Sequence, residues 1–210
     1  MDEYITLKGE GESILIEKKS RFLGHCSPVT SKEQAIEFIN SIKSIYKDAS
    51  HNVGAYNIRI GGLNHSSDDG EPSGTAGVPV LETLLKAKIV DAAVVVTRYF
   101  GGILLGAGGL IRAYSSTASA ALRDAKIVVM TECVVYDISV TYPLYERLTK
   151  LLDDMNITIN SRNFLDKVTI QCVTKKDNEH NLVNQLTEFF RGRDQFVLVR
   201  EEYLPLEIFE

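Results

Sequence analysis

Glycine is concentrated in one part of this chain, and that concentration restricts how the backbone there can fold. Eleven of the 15 glycines lie between Gly54 and Gly109. Eight of them fall in two blocks, an acidic one at 68–79 and a second at 98–114 that continues from an apolar stretch. Glycine loses more conformational entropy on folding than other residues, so it is favoured where φ is positive or where another group comes close. The two blocks therefore predict the functional surface.

The composition is that of a globular protein with a substantial core. The 210 residues are 44% hydrophobic and 24% charged, and this length allows one domain or two. No apolar run reaches the 18 or so residues of a membrane span, and residues 1–20 lack a secretory apolar region. The sequence predicts a cytoplasmic protein with no membrane contact.

The three cysteines form no recognisable framework. Cys26, Cys133 and Cys172 are far apart, odd in number and without a Cys-x-x-Cys pair. This spacing argues against both a disulfide scaffold and a thiolate zinc site. We expect reduced, buried thiols.

The charge is weakly acidic and unevenly distributed. The net charge is −5, and residues 1–132 carry 14 basic and 15 acidic side chains, whereas 133–210 carry 9 and 13. Attraction to phosphate is therefore weak overall, and a nucleic-acid role would require a local basic face.

Alternating strand and helix patterns fill the first 125 residues. The predicted strands are Ile14–Ile16, Arg21–Cys26, Ala55–Ile60 and Ala92–Tyr99, and helices are predicted to start at Thr30, near Pro79 and at Gly106. Thr30 and Glu33 fit a capping box. The nearly continuous apolar character of Ala92–Tyr99 predicts burial on both faces. The helix after Gly106 is rich in Ala and Ser, which permits close packing on a sheet.

The second half restarts as an independent unit with the order βαββαβ. Its predicted elements are Val134–Val140, Pro143–Met155, Ile157–Phe164, Val168–Val173, Glu179–Arg193 and Gln195–Glu202. Such a split βαβ unit of roughly 75 residues can close its own core. The boundary is predicted between Lys126 and Val134, which gives domains 1–130 and 131–210.

The second glycine block follows a strand and opens a helix, as phosphate sites require. It contains neither Gly-x-x-x-x-Gly-Lys-Ser/Thr nor Gly-x-Gly-x-x-Gly. Two interpretations remain open. The glycines form a tight turn with close strand–helix packing, or the helix start at Gly106–Leu110 binds an anion with Arg98 and Arg112 nearby.

The carboxylates of the first block also allow two interpretations. Asp68, Asp69 and Glu71 could hold a cation or act as acid and base. Their spacing does not match the EF-hand pattern, however, and the dipeptides Asp-Gly and Glu-Pro are typical of solvent-exposed turns. An exposed recognition loop for a partner's basic group is preferred. No metal and no cofactor are predicted.

A nucleophilic triad can be drawn from Ser73, His51 and Asp69, with Thr75 as a neighbouring hydroxyl. The nucleophile-elbow sequence Gly-x-Ser-x-Gly is absent, so a turn or core position is the simpler interpretation for His51. No catalytic residue is predicted.

Aromatic side chains accompany the arginines of the second block. Tyr99, Phe100 and Tyr114 could stack on nucleic-acid bases, or they could belong to the core.

These motifs resemble a known family. The segments Lys19–Phe22, Ser67–Gly77, Val96–Gly102 and Gly106–Tyr114 resemble the signature of the IMPACT family in its bacterial YigZ-type form. The βαββαβ half is similar to the C-terminal domain of bacterial members, so the resemblance spans nearly the whole chain.

The resemblance implies an α+β protein of two domains. The first is expected to be a ribosomal-protein/GHMP-kinase-like βαβ domain, and the second a ferredoxin-like domain resembling one of elongation factor G. It also implies a non-enzymatic regulator of translation or the stress response that contacts RNA, the ribosome or a ribosome-associated protein. This functional expectation rests on fold analogy.

Fifteen residues are the predicted ligand-binding or partner-binding set. They are His51, Asp68, Asp69, Glu71, Ser73, Thr75, Arg98, Tyr99, Gly101, Gly102, Gly106, Gly108, Gly109, Arg112 and Tyr114. The alternative function is a small-molecule enzyme, a hydrolase or a phosphate-handling enzyme, that uses the same glycine-rich surface. A third is a protein-interaction module in which the acidic second domain binds a basic partner.

One position departs from the family pattern. That pattern reads Gly-Gly-Ile-Lys-Leu-Gly, whereas this chain has Leu104 where the lysine is expected. If the lysine contacts phosphate in the family, this chain has lost that contact.

Overall fold

The structure is a computed structural model that describes residues 3–205. It divides into two compact units, Tyr4–Val128 and a second that begins at Val129. Both units combine helices with antiparallel strands. This is the two-domain α+β class that the sequence predicts.

The first unit is built on a five-stranded sheet. The strands of this sheet are β2 (Gly11–Glu17), β3 (Ser20–Pro28), β4 (His51–Ile58), β5 (Leu63–Ser67) and β6 (Ala92–Tyr99). The unit also contains a short strand outside this sheet, β1 (Tyr4–Leu7), and the helices α1 (Lys32–Ile45), α2 (Gly77–Lys86) and α3 (Ala107–Asp124). The sheet order is β2-β3-β6-β4-β5, with every neighbouring pair antiparallel. Strand β6 is therefore central, and β2 and β5 are the edges of this sheet.

Helices cover both faces of the central strand. On one face, α2 and α3 pack on a core that includes Phe22, Val53 and Val94. On the other face, Ala35 of α1 lies against Tyr56. Since Ala92 to Arg98 are all buried, the predicted burial of this strand on both faces is confirmed.

Small residues allow α3 to lie very close to β2 and β3. A methyl group on Gly11 would overlap the carbonyl of Ala121, and one on Gly24 would lie 3.0 Å from the Thr117 side chain. Ser13 Oγ also donates a hydrogen bond to the Thr117 carbonyl, at 2.8 Å. The close packing expected from the Ala- and Ser-rich helix is thus present.

The start of α1 differs from the prediction by one residue. Ser31 caps the helix, and its Oγ accepts from the Gln34 N–H at 3.3 Å. The Gln34 side chain in turn accepts from the Thr30 N–H at 2.8 Å. The predicted Thr30–Glu33 capping box is wrong, because Ser31 is the N-cap and the side chain of Gln34, not of Glu33, bonds back to the Thr30 N–H.

Two strand predictions in the middle of the unit also needed correction. Strand β4 begins at His51 instead of Ala55, and Leu63–Ser67 forms β5 where no strand was predicted. Strand β5 is short, mostly exposed and at the sheet edge, so it lacks the apolar pattern that identifies buried strands.

The second unit has the predicted βαββαβ order. Its elements are β7 (Ile127–Val140), α4 (Tyr142–Asp154), β8 (Thr158–Phe164), β9 (Val168–Lys175), α5 (Glu179–Phe189) and β10 (Phe196–Pro205). The strands pair antiparallel in the order β8-β9-β7-β10. Leu148 of α4 and Leu186 of α5 are fully buried in one core with the sheet, as the ferredoxin-like motif requires.

The cysteines are free and buried, as predicted. Burial raises the pKa of Cys26 and of Cys172 to about 12, so both remain neutral thiols at physiological pH. Across residues 3–205, none of the helices combines the length and hydropathy that crossing a bilayer demands.

The close approach of β2 to α3 leads to a first prediction. Gly11→Ala should lower the free energy of unfolding by about 1–3 kcal/mol, because the added methyl group overlaps helix backbone that cannot rotate away. Urea denaturation of the full chain measures this loss. Gly9→Ala is the matched control, since a methyl group at Gly9 would meet nothing within 4 Å. Equal stability of the two variants would contradict the packing argument.

Candidate functional site

The two glycine blocks meet at the end of the central strand. Arg98 on β6 is paired with Phe22 on β3 and with His51 on β4, so these three side chains lie in one row on the α3 side of the sheet. Glu71 from the acidic block and Tyr114 from α3 reach the same row. We name Ser20, His51, Glu71, Arg98 and Tyr114 the Arg98 cluster.

A buried ion pair is the centre of this cluster. Glu71 Oε1 accepts from Arg98 Nη1 at 2.7 Å and from the Tyr114 hydroxyl at 2.7 Å. Arg98 is only 5% exposed and Glu71 only 8%. Burial raises the pKa of Tyr114, and its bond to Glu71 raises it further, so the phenol stays a donor. The ion pair connects the two glycine blocks directly.

Arg98 also ties the second block to the β2–β3 hairpin. Its Nη2 lies 3.4 Å from Ser20 Oγ, and that oxygen accepts from the Gly101 N–H at 3.2 Å. A methyl group on Gly101 would overlap the Lys19 backbone, so only glycine fits. The guanidinium carbon lies 5.4 Å from the Phe100 ring centroid, a distance at which a cation–π contact forms.

His51 is oriented by the acidic block, but it forms no catalytic triad. Its Nδ1 lies 2.8 Å from the Asp69 main-chain carbonyl, which can only accept, so Nδ1 carries the hydrogen. The Nε2 atom lies 3.9 Å from Glu71 Oε1.

The other two members of the possible triad do not contact His51 through their side chains. The Asp69 carboxylate binds Lys43 Nζ at 2.7 Å and the Asn52 N–H at 2.6 Å, and Ser73 is exposed. The Ser73–His51–Asp69 arrangement is therefore not formed.

Asp68 closes the acidic block onto the start of α2. Its carboxylate accepts from the N–H groups of Gly74 at 2.8 Å, Ala76 at 3.1 Å and Gly77 at 2.7 Å. Burial opposes ionisation, but these three donors outweigh it and hold the pKa of Asp68 below its ordinary value. The position at a helix N-terminus also favours the negative charge.

The acidic block is thus folded inward, which corrects the idea of an exposed recognition loop. The carboxylates of Asp68, Asp69 and Glu71 all have internal partners. Thr75 Oγ1 likewise donates to the Pro72 carbonyl at 2.6 Å. Through these hydrogen bonds the block connects β4, β6 and α2 to one another.

The second block is the more exposed of the two. Gly102 and Gly106 take positive φ, +82° and +73°, which favours glycine at both. Leu104 is 82% exposed, so a lysine at this position would also reach solvent. Ile103 is exposed as well, and this segment therefore presents apolar side chains where the family pattern has a cation.

Helix α3 begins directly after this segment without a side-chain cap. The first-turn residues Ala107 and Gly108 are exposed, Gly109 is half-buried, and Arg112 is exposed one turn further along. Uncapped N–H groups and a nearby arginine suit an anion. Anion binding at Gly106–Leu110 stays a prediction.

Tyr99 lies on the opposite face of the sheet from Arg98, because side chains alternate along a strand. Its hydroxyl donates to Asp48 at 2.9 Å, and the Arg21 guanidinium lies 4.8 Å from its ring centroid. The predicted set missed Arg21 and Ser20. Pairing of β3 with β6 places Arg21 opposite Tyr99, so the strand register was the signal needed to find Arg21.

Comparison with known proteins gives the family. The model of the Impact N-terminal domain matches residues 18–122, and that of a domain of unknown function, DUF1949, matches residues 138–193. The IMPACT family member YvyE of Bacillus subtilis is 37% identical over 92% of this chain and 89% of its own length. The chain belongs to the IMPACT family. The recognition made from the two glycine blocks is confirmed.

Other IMPACT relatives match to different extents. The IMPACT family member YigZ of Escherichia coli is 30% identical over 88% of this chain and 92% of its own. The IMPACT homolog of Dictyostelium discoideum is 38% identical, but over 51% of this chain and 32% of its own. A crystal structure of a hypothetical protein has a TM-score of 0.60 and 28% identity, covering 95% of this chain and 98% of that one.

The buried ion pair leads to a second prediction. Glu71→Gln should reduce the free energy of unfolding by about 3–5 kcal/mol, because it leaves the Arg98 charge buried without a counter-charge. Arg98→Met should also destabilise, whereas the double variant should lose less than the sum of the two single losses. Chemical denaturation of all four proteins measures the coupling. Strictly additive losses would contradict the pairing.

Asp68 leads to a third prediction, on pH. Its pKa in the folded protein lies below the ordinary 3.8, so its ionised form stabilises the fold above about pH 4, and this stabilisation is lost as pH falls through the folded-state pKa. The stability difference between wild type and Asp68→Asn should be full at pH 7 and shrink below about pH 4. Urea denaturation across this range measures it. Glu37→Gln, which removes an exposed carboxylate of α1, controls for loss of surface charge, and a constant difference for Asp68→Asn would contradict the assignment.

Proposed function

We propose that this protein is a non-enzymatic cytoplasmic binding protein that regulates translation or the stress response by contacting RNA, free or within the ribosome. Two observations support the proposal. The chain belongs to the IMPACT family, and the first unit carries a local basic surface although the net charge of the whole chain is −5. The second observation carries most of the argument.

The basic surface surrounds the tip of the β2–β3 hairpin. Lys18 and Lys19 form the turn with positive φ, +47° and +66°, and both are exposed. Arg21 is the second residue of β3. It is exposed and lies over the Tyr99 ring. We name Lys18, Lys19, Arg21, Tyr99 and Arg112 the hairpin-tip surface.

Arg112 lies on the α3 side of the hairpin, whereas Arg21 and Tyr99 lie on the opposite face of the sheet, so the surface extends around the tip. A shallow groove between β2 and α3 is lined by Glu17, Gly109 and Arg112, among others, so Arg112 lies beside the strand that leads into the tip. On the other side, the contact of Gly101 with Lys19 brings the second glycine block against the hairpin. Glu17 and Asp48, which bonds the Tyr99 hydroxyl, offset part of the charge of the four cations, and a net positive charge of two remains around the tip.

Cations interspersed with stacking groups are the usual chemistry of single-stranded RNA recognition. The lysines and Arg112 suit phosphates, and the exposed side of the Arg21 guanidinium offers a plane on which a base can stack. Uncapped N–H groups at the start of α3 add phosphate donors next to Arg112. The Arg98 cluster fixes the hairpin and the glycine segment relative to each other, so the surface is preorganised.

The alternative, a small-molecule enzyme on the same glycine-rich surface, has less support. The carboxylates that could act as acid or base there, Asp68, Asp69 and Glu71, are held by internal partners. A binding role does not require any of them to be free.

A fourth prediction tests the hairpin-tip surface. Lys18→Gln/Lys19→Gln should weaken binding to a ribosomal RNA fragment, and the slope of log affinity against log salt should fall by about 1.4 for two lost phosphate contacts. Fluorescence anisotropy at several salt concentrations measures both quantities. The matched control is Lys88→Gln/Lys126→Gln, which removes two exposed lysines that also have positive φ.

The outcomes separate the possible partners. Unchanged affinity and slope in the Lys18/Lys19 variant, or equal effects in the control, would overturn the assignment of RNA to this surface. Binding to intact ribosomes without binding to ribosomal RNA would point to a ribosomal or ribosome-associated protein as the partner.

A further inference from the structure

A second concave region lies at the opposite edge of the first unit's sheet from the hairpin tip. It is a cleft of about 370 Å³ between α1 and the strand pair β4–β5. Its floor is formed by Tyr56 and His65, which are cross-strand partners, and its wall by Lys32, Ile36 and Asn40 of α1. This volume falls within the range of pockets that hold small molecules.

The cleft exists because α1 covers only part of the sheet. The helix packs over β4 and β6, and the face of the edge strand β5 stays open beside it. Gly54 lets the helix approach, since an added methyl group would lie 3.0 Å from Ile39. A side chain at Gly54 would also reduce the space next to Ser67, its cross-strand partner.

The polar groups that line the cleft have unused hydrogen-bonding capacity. Tyr56 is only 5% exposed, yet its hydroxyl has no hydrogen-bond partner among residues 3–205. The same is true, within that range, of the Lys32 ammonium, the Asn40 amide and the His65 ring nitrogens. The Tyr56 hydroxyl is not among the buried side-chain atoms that lack a partner, so it remains accessible from the cleft that Tyr56 lines, and a ligand atom can bond to it.

The charge of the cleft favours an anion at one end. Of the described residues that line it, none is acidic, and two are lysines. Lys43 already binds Asp69 at 2.7 Å, whereas Lys32 lies about 16 Å away along the helix axis, at the first turn of α1. The helix N-terminus adds a positive partial charge beside Lys32.

The remaining lining suits a flat ring. The Tyr56 and His65 rings lie 5.7 Å apart with an interplanar angle of 34°, and Ile36 and Ile39 form an apolar wall facing them. Aromatic groups pack well on such a floor, with offset stacking preferred.

We propose that this cleft binds a small planar aromatic molecule that carries a phosphate or a carboxylate. The ring lies between the Tyr56–His65 floor and the isoleucine wall, with the anionic group at Lys32. The Tyr56 hydroxyl and the Asn40 amide bond polar atoms of the ring. A nucleoside monophosphate has this chemistry and size.

The fifth prediction uses the histidines as reporters. The sequence contains four histidines, His25, His51, His65 and His180, so the imidazole NMR signals of the full chain form a small, assignable set. Titration with the four nucleoside 5′-monophosphates and with indole-3-acetate should shift the His65 signals for at least one probe, with a Kd below about 1 mM. Signals of the other three histidines should stay in place.

Variants and partial ligands test the assigned contacts. Lys32→Gln should weaken binding of the responding probe about tenfold, as expected for loss of one charged hydrogen bond. Lys47→Gln, an exposed lysine just beyond α1, should leave the affinity unchanged. For a nucleotide probe, the matching nucleoside and inorganic phosphate should each bind at least about tenfold more weakly. Tyr56→Phe should also weaken binding while the fold is retained.

Three results would overturn the proposal. They are no His65 shift with any probe at about 1 mM, equal affinity in Lys32→Gln and Lys47→Gln, or equal binding of the neutral nucleoside and the nucleotide. A response to indole-3-acetate alone would assign the site to carboxylates, and a response to nucleotides alone to phosphates. The Lys18→Gln/Lys19→Gln variant should bind these probes like wild type. A failure of the cleft proposal can therefore be distinguished from a failure of the RNA-binding proposal.

Discussion

The first unit depends on one buried ion pair. Arg98 and Glu71 are both nearly inaccessible, and the Tyr114 hydroxyl completes the bonding of the same carboxylate oxygen. A buried charge pair gains little net stability over apolar packing, but breaking it is very unfavourable. The pair therefore acts mainly as a constraint on geometry. It requires the acidic block, the end of β6 and helix α3 to adopt one relative arrangement.

This constraint explains why the glycine blocks, which could have been flexible loops, form a defined surface. Asp68 and Asp69 hold the acidic block with further internal bonds, and Gly101 packs on the Lys19 backbone. The exposed part of the region is then the hairpin tip and the start of α3. The carboxylates of the acidic block form internal hydrogen bonds, and the exposed lysines and arginines lie at the surface of this region.

The five-stranded sheet separates two surfaces with different chemistry. At the β2–β3 end, Arg21 lies over the Tyr99 ring next to the Lys18–Lys19 turn, an arrangement that suits an extended polyanion. At the β4–β5 end, partial coverage by α1 leaves a cleft with a nearly buried tyrosine and with Lys32, which forms no ion pair among the described residues. The two surfaces have no residue in common, so substitutions can be made in each of them separately.

The sequence by itself determined the α+β class, the βαββαβ order of the second unit and the family, because apolar periodicity and the glycine blocks are local signals. It also located the Arg98 cluster, since four of its five members were in the predicted set. It could not determine which carboxylates face inward, that Arg98 and Tyr99 lie on opposite faces, or that β5 exists as an exposed edge strand. Only the tertiary structure decided these points and the cleft beside α1, because strand register and helix coverage depend on contacts between residues far apart in the chain.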